Sequence, residues 1–125
     1  MQKIFTLGIA GAAGTLSRYF IGTWIYQTFG TSFPYSTLAV NVSGCWAIGL
    51  LGTIAEKHLA FSDNIRFVIL VGFLGAFTTF SSFTFDTWTL LKNGQTFAAG
   101  ANVLVSFLGC FLGLAIGVWL GRVVG

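Results

Sequence analysis

The segment GFLGAFTTFSSFTF, residues 72–85, mixes phenylalanine with serine and threonine and carries no charge before Asp86. Hydroxyl groups donate hydrogen bonds, and the edge of a phenyl ring carries a partial positive charge. Together they can hold a small anion that has lost its hydration water without binding it too tightly to leave. We interpret the segment as the lining of an anion pore, although packing in a core is the commoner role of such rings. The side chains behind this interpretation are Phe77, Phe80, Ser81, Phe83 and Thr84.

The same segment predicts a break in its helix near residues 75–79. Gly72 and Gly75 add backbone flexibility, and the hydroxyl side chains that follow compete for backbone hydrogen bonds. A break frees carbonyl oxygens, which at membrane depth must be buried in protein or bound to an ion. Unwound carbonyls are a common ligand set for a small hard cation, so the break is a candidate cation site.

Two further polar side chains lie in apolar segments. Asn41, in AVNVSGCW, offers an uncharged donor; the alternative is a hydrogen bond between two helices, which is common in membrane bundles. Arg18 lies near the middle of the first apolar segment. Two roles are open for this arginine: its head group extends to the membrane interface, or it attracts an anion.

The elements that position these residues belong to a chain too apolar for a soluble domain. Of its 125 residues, 55% are hydrophobic and 7% are charged, which leaves too little polar surface. Four runs are long enough to cross a bilayer, at 4–27, 36–56, 66–91 and 97–122. We therefore predict an all-α membrane protein, a single transmembrane domain over 1–125, with the loops QTFGTSFP, EKHLAFSDN and KNGQ. Little chain remains for a catalytic domain, so we expect no enzymatic activity.

The basic residues predict an orientation. Lys3, Lys57, Arg66 and Arg122 fall on one side of a four-span protein, and Lys92 falls on the other. Because lysine and arginine are enriched on the cytoplasmic side, this excess favours both termini in the cytoplasm.

Glycines form stripes that predict close helix packing. One stripe in the fourth span recurs every four residues, and a shorter one lies in the first span. Without side chains along such a face, two helix backbones can approach closely. The two stripes are Gly109, Gly113, Gly117 and Gly121 in the fourth span, and Gly8, Gly11 and Gly14 in the first.

A polar line runs beside the glycine stripe of the fourth span. It consists of Asn102, Ser106 and Cys110, and we expect part of it to face water. Cys110 and the other cysteine, Cys45, both fall within predicted spans. Their position indicates packed thiols rather than a disulfide.

At these residues the sequence resembles the Fluc/CrcB family of fluoride channels. The resemblance covers essentially the whole chain and is carried by GAAGTLSRY, NVSGC and GFLGAFTTFSSF in the first, second and third spans. The third-span motif is highly specific. Ser82 stands where the family more often has threonine, but the hydroxyl is kept.

The resemblance implies a passive fluoride-specific channel in the cell (inner) membrane, which exports fluoride and lowers its toxicity. It also implies an antiparallel, dual-topology homodimer with a third helix broken near its middle, although such a dimer leads us to expect less charge bias than the basic residues have. The implied fluoride-pore residues are Asn41, Phe80, Ser81, Phe83 and Thr84. Backbone carbonyls of Gly75 and Thr78 from both subunits would hold a structural Na⁺ that is not transported, and Arg18 matches the family's first-span arginine.

Two other classes of protein remain as alternatives. A small proton-coupled multidrug exporter also has four spans, but it relies on a glutamate embedded in the first span, where this chain has Arg18 and no acid. A non-transporting assembly protein would need only the glycine stripes, which leaves Asn41 and residues 72–85 unexplained. Physical reasoning alone does not separate a channel from a fluoride/proton antiporter; the resemblance favours the channel.

Overall fold

The computed structural model describes residues 1–57 and 62–125, and every regular element in these ranges is helical. A π-helical segment, Val68–Leu74, follows the third helix directly. The helices in chain order are α1 (Gln2–Phe29), α2 (Tyr35–Lys57), α3 (Asp63–Phe67), α4 (Gly75–Phe77), α5 (Phe80–Lys92) and α6 (Thr96–Val124).

Four segments of the described chain are long and apolar enough to cross a membrane. This finding confirms the predicted four-span helical protein, and the chain is a multi-pass membrane protein. Residues 58–61, which belong to the predicted loop EKHLAFSDN, lie outside the described ranges. The four segments are Gln2–Phe29, Tyr35–Lys57, Asp63–Lys92 and Thr96–Val124.

The third span is broken near its middle, as predicted. The two residues between α4 and α5 are extended, with φ/ψ of −82°/157° at Thr78 and −151°/114° at Thr79. The π-helical turns before the break are not foreseen by the sequence pattern. They are marked by the N–H of Gly75, which donates to the carbonyl of Leu70 five residues earlier. The third span therefore departs from α-helix geometry twice, and such departures often occur at functional sites.

In the described ranges, α2 and α6 make the most extensive contact between two helices, and glycines allow their approach. The four glycines of the fourth-span stripe all face α2. A Cβ added to Gly113 would lie 3.0 Å from the Val42 carbonyl oxygen, and one added to Gly121 would lie 2.9 Å from the Leu50 carbonyl oxygen. A larger residue would therefore meet backbone, which cannot move aside as a side chain can.

The first-span stripe makes fewer contacts within the chain. An added Cβ on Gly14 would overlap the carbonyl group of Phe73, so this glycine lets α1 approach the π-helical segment. A Cβ on Gly11 would be in ordinary contact, 3.8 Å from the Gly72 carbonyl oxygen, and one on Gly8 would meet nothing within 4 Å.

Charged groups gather at one end of the bundle. Lys57 Nζ donates to the Arg122 carbonyl oxygen at 2.7 Å, and Arg66 forms an ion pair of 2.9 Å with Glu56. The Lys3 ammonium group lies 4.7 Å from the centre of the phenyl ring next to Arg66 in the sequence. The basic residues that the sequence assigns to one side of the membrane thus lie close together.

Candidate functional site

The break between α4 and α5 begins a new helix with its own cap. Thr79 is the N-cap residue of α5, and its Oγ1 accepts a hydrogen bond of 3.2 Å from the N–H of Ser82. Threonine suits this position because its hydroxyl satisfies a backbone donor that the first turn of a helix leaves unpaired. The sequence Thr78–Thr79 therefore ends one helix and starts the next.

Asn41 of α2 holds the break in place. Its Nδ2 donates to the Thr79 carbonyl oxygen at 2.9 Å, and its Oδ1 accepts from the Thr79 N–H at 2.7 Å. The side-chain amide thus replaces both hydrogen bonds that a continuous helix would give this residue. The interhelical hydrogen bond left open as an alternative role of Asn41 is present, and its partner is the unwound backbone itself.

The partners of two backbone N–H groups, those of Thr79 and Ser82, explain which carbonyls the break releases. In a continuous helix the Thr79 N–H would bond to the Gly75 carbonyl, and the Ser82 N–H would bond to the Thr78 carbonyl. The first donor goes to Asn41 and the second to the Thr79 hydroxyl. Gly75 and Thr78 are the two residues that the family resemblance implies as cation ligands. Their neutral oxygens, freed from helix donors, fit a small hard cation such as Na⁺.

A cleft of about 270 Å³ adjoins the break. It unites Asn41, Thr78 and Thr79 with two rings of α5 and with residues of α2 and α6. The rings of Phe80 and Phe83 lie 5.3 Å apart at 44°. The remaining lining residues are Cys45, Ser106, Phe107, Cys110 and Phe111. Below we call this space the aromatic cleft.

The two rings of α5 are held differently. Phe83 is 7% exposed and packs against Phe107 in a T-shaped arrangement, at 78° with ring centres 6.1 Å apart. Phe80 is 68% exposed and projects from the chain. The inner ring is therefore fixed by packing, whereas the outer ring borders whatever lies beside the chain.

The structure does not bring Ser81 and Thr84 into the aromatic cleft. Both are exposed, on the face of α5 beside the rings. Thr84 Oγ1 lies 2.9 Å from the Ser81 carbonyl oxygen, to which it donates, and Ser81 Oγ lies 3.2 Å from Thr79 Oγ1. Within one chain, the predicted pore residues that meet are Asn41, Phe80 and Phe83.

Arg18 lies outside the aromatic cleft. It is half-buried and lines a separate cleft of about 410 Å³ between α1 and the start of α2, with no residue shared with the aromatic cleft. Its neighbours there include Tyr26 and Ser36.

A series of hydrogen bonds links α6 to α5 beside the aromatic cleft, and it was not predicted as part of the site. Ser106 Oγ donates to Asn102 Oδ1 at 3.4 Å, and Asn102 Nδ2 donates to Thr87 Oγ1 at 2.9 Å. Thr87 in turn donates to the Phe83 carbonyl oxygen at 2.8 Å. Asn102 is 2% exposed, so the part of the polar line that it forms faces α5 and not water. The four-residue spacing of polar residues in the fourth span could have predicted that they contact a neighbouring helix.

Comparisons with known proteins agree on one family. The family model described as "CrcB-like protein, Camphor Resistance (CrcB)" matches residues 5–118. A protein of Citrifermentans bemidjiense named "Fluoride-specific ion channel FluC" is 44% identical over 122 residues, which cover 98% of each chain. Relatives with the same name occur in Acidobacterium capsulatum, 45% identical over 99% of this chain and 96% of the relative, and in Chloroflexus aurantiacus, 39% identical over 100% and 99%.

Proposed function

The chain belongs to the CrcB-like family, and from that premise we propose that it is a fluoride-specific ion channel through which fluoride leaves the cell. The observation that carries the proposal is the aromatic cleft, where Asn41, Phe80 and Phe83 meet directly beside the helix break. A passive channel lets the anion follow its electrochemical gradient and needs no catalytic group, so the protein is not an enzyme. In a bacterium its place is the inner membrane.

Fluoride is strongly hydrated, so a pathway must replace the water that the ion gives up. Asn41 has two hydrogens on Nδ2, and its bond to the Thr79 carbonyl needs only one of them. The second hydrogen is available to an anion in the aromatic cleft. Phe80 and Phe83 both line the cleft and are tilted to each other rather than stacked. A ring edge turned toward the anion would offer it weak positive charge.

The rest of the pathway requires a second copy of the chain, arranged antiparallel as the family resemblance implies. Ser81, Thr84 and the outer ring Phe80 are exposed in the single chain. Polar groups facing lipid at membrane depth are costly. A partner that covers this face of α5 would remove the cost and place both hydroxyl side chains along the fluoride pathway.

The same dimer would complete a structural Na⁺ site. Carbonyls of Gly75 and Thr78 from two subunits give four oxygen ligands, which suits a hard cation. The site is supported by the two hydrogen bonds that draw helix donors away from these carbonyls. When bound, Na⁺ supplies positive charge that links the unwound segments of both subunits.

The direct test is ion efflux from liposomes that contain the purified protein, with the membrane potential set by an ionophore. We expect rapid fluoride efflux and negligible chloride efflux, because a small, strongly solvated anion suits the donors of the narrow pathway. Liposomes without protein are the control. Absence of fluoride efflux from folded protein in the presence of sodium would reject the proposal.

Variants of the two rings locate the pathway. We expect Phe80→Ile and Phe83→Ile each to lower fluoride efflux by about 10²-fold or more, because each removes an aromatic ring from the pathway. Such a factor corresponds to about 3 kcal/mol. The dimer should persist in size-exclusion chromatography. Normal efflux in both variants would show that the rings do not line the pathway.

A further inference from the structure

The two cysteines of the chain, on different helices, line the same cleft. Cys45 of α2 and Cys110 of α6 are both free thiols, and they are neighbours across the interface of these two helices. The close approach of α2 and α6 makes this possible, since Gly109 and Gly113 on either side of that contact carry no side chain toward α2. The pair therefore lies at the closely packed interface of α2 and α6.

The thiol pair also borders the aromatic cleft. Cys45 lies one helical turn beyond Asn41, and Cys110 lies one turn beyond Ser106; all four residues line this cleft. An ion held between the two sulfur atoms would consequently sit in the space that the proposed pathway uses, beside Phe80 and Phe83.

Two thiol ligands restrict which metal ions the site could bind. Thiolate sulfur prefers soft metal ions such as copper(I). In the described ranges, no group of three or more His, Cys, Asp and Glu side chains could hold a metal ion together. A structural zinc site takes four ligands, so two thiols alone do not satisfy zinc. They suit a soft ion that accepts two ligands.

We propose that Cys45 and Cys110 form a binding site for a soft, two-coordinate monovalent cation, copper(I) or its redox-stable analogue silver(I), and that the bound ion blocks the aromatic cleft. Binding converts two thiols and one cation into a two-thiolate complex and releases two protons, with no change of oxidation state. The complex carries one net negative charge, so it opposes an anion by repulsion as well as by volume. The block rests on the proposed function, whereas the binding does not.

Binding is tested first, on the purified full-length protein in chloride-free nitrate buffer with silver nitrate. Native mass spectrometry in the presence of excess glutathione should find one silver ion per chain. Cys45→Ser and Cys110→Ser should each lower the affinity by about 10²-fold, because a single thiol loses the advantage of two linked ligands over free competitors. Ser43→Ala, a change on α2 that removes no thiol, is the matched control and should bind as the natural chain does. Equal silver affinity in the natural chain and both single variants would overturn the site.

The block is tested by fluoride efflux, with each variant compared with its own rate without silver. Silver should lower efflux of the natural chain at least tenfold, and dithiothreitol should restore it, while Cys45→Ser and Cys110→Ser keep their rates. Two-thiol binding with unchanged efflux would overturn the block. If no variant conducts fluoride even without silver, the proposed function fails, and the mass spectra still decide the metal site.

Discussion

At the scale of single residues, Asn41 has a structural task that a pore-lining role alone does not require. Its amide bonds to both the N–H and the carbonyl of Thr79 and thereby pairs a backbone unit that the helix break leaves open. Thr79 completes the arrangement by capping α5. One side chain thus stabilises the break and, in the proposed pathway, would donate its remaining amide hydrogen to the anion.

We predict that Asn41→Ala destabilises the fold as well as the pathway. It would leave the Thr79 N–H and carbonyl without their partner, at a total cost of about 2 kcal/mol or more. Thermal unfolding in detergent should show a lower midpoint than the natural chain. Ser43→Ala, two residues away on α2, should leave the midpoint unchanged. An unchanged midpoint in Asn41→Ala would mean that water or another group replaces the amide.

At the scale of elements, α6 packs along α2 because glycines of each helix lie against backbone atoms of the other. A Cβ on Gly117 would overlap the Trp46 carbonyl oxygen and lie 2.8 Å from the Leu50 nitrogen. Gly49 of α2 makes the reciprocal approach, since its added Cβ would lie 3.0 Å from the Val118 nitrogen. These contacts fix the rotation of α6 about its axis. With this rotation Cys110 lies near Cys45, and Ser106 lines the aromatic cleft.

We predict that Gly117→Ala separates α2 from α6 and destabilises the protein by about 1–3 kcal/mol, the usual cost of overpacking. Gly100→Ala, in the same helix, is the matched control because its added Cβ would meet nothing within 4 Å. That control should be neutral or stabilising by about 0.5–1 kcal/mol, as alanine is the better helix former. Unfolding midpoints in detergent compare the two. Equal midpoints would contradict the backbone contact.

At the scale of the whole molecule, much of the apolar surface faces outward. Large side chains on α1 and α6 are exposed, among them Phe20, Trp24 and Phe111. Such a surface is stable only against lipid or another copy of the chain. The chain also exposes polar residues of α5, Ser81 and Thr84 among them, and lipid offers them no hydrogen bonds.

We predict that Na⁺ slows dissociation of the dimer, since the ion would be held by carbonyls of Gly75 and Thr78 from both subunits. Exchange between fluorescently labelled subunits in detergent measures the dissociation rate. The rate should be at least tenfold lower in sodium than in a large organic cation of the same ionic strength. The same rate in both cations would count against the shared site.

The four spans and the broken third helix are predictable from the sequence, because both depend on local properties. Apolar run length decides whether a segment crosses a bilayer, and the glycines and hydroxyl residues of 72–85 weaken their own helix. The resemblance carried by the same residues also named Asn41 and the two rings, which the structure brings together. The π-helical turns at Val68–Leu74, which pack against α1, were not predicted from the sequence pattern.

Which side chains come together depends on long-range packing, so it had to be read from the fold. How each helix is rotated about its axis and shifted along it depends on backbone contacts at glycines and on hydrogen bonds between distant segments. The type of a single residue does not predict these contacts. The bond from Asn41 to Thr79, the burial of Asn102 against α5, and the exposure of Ser81 are results of this kind. The placement of Cys45 and Cys110 in one cleft is another, because two helices from opposite halves of the chain must approach closely before both can line it.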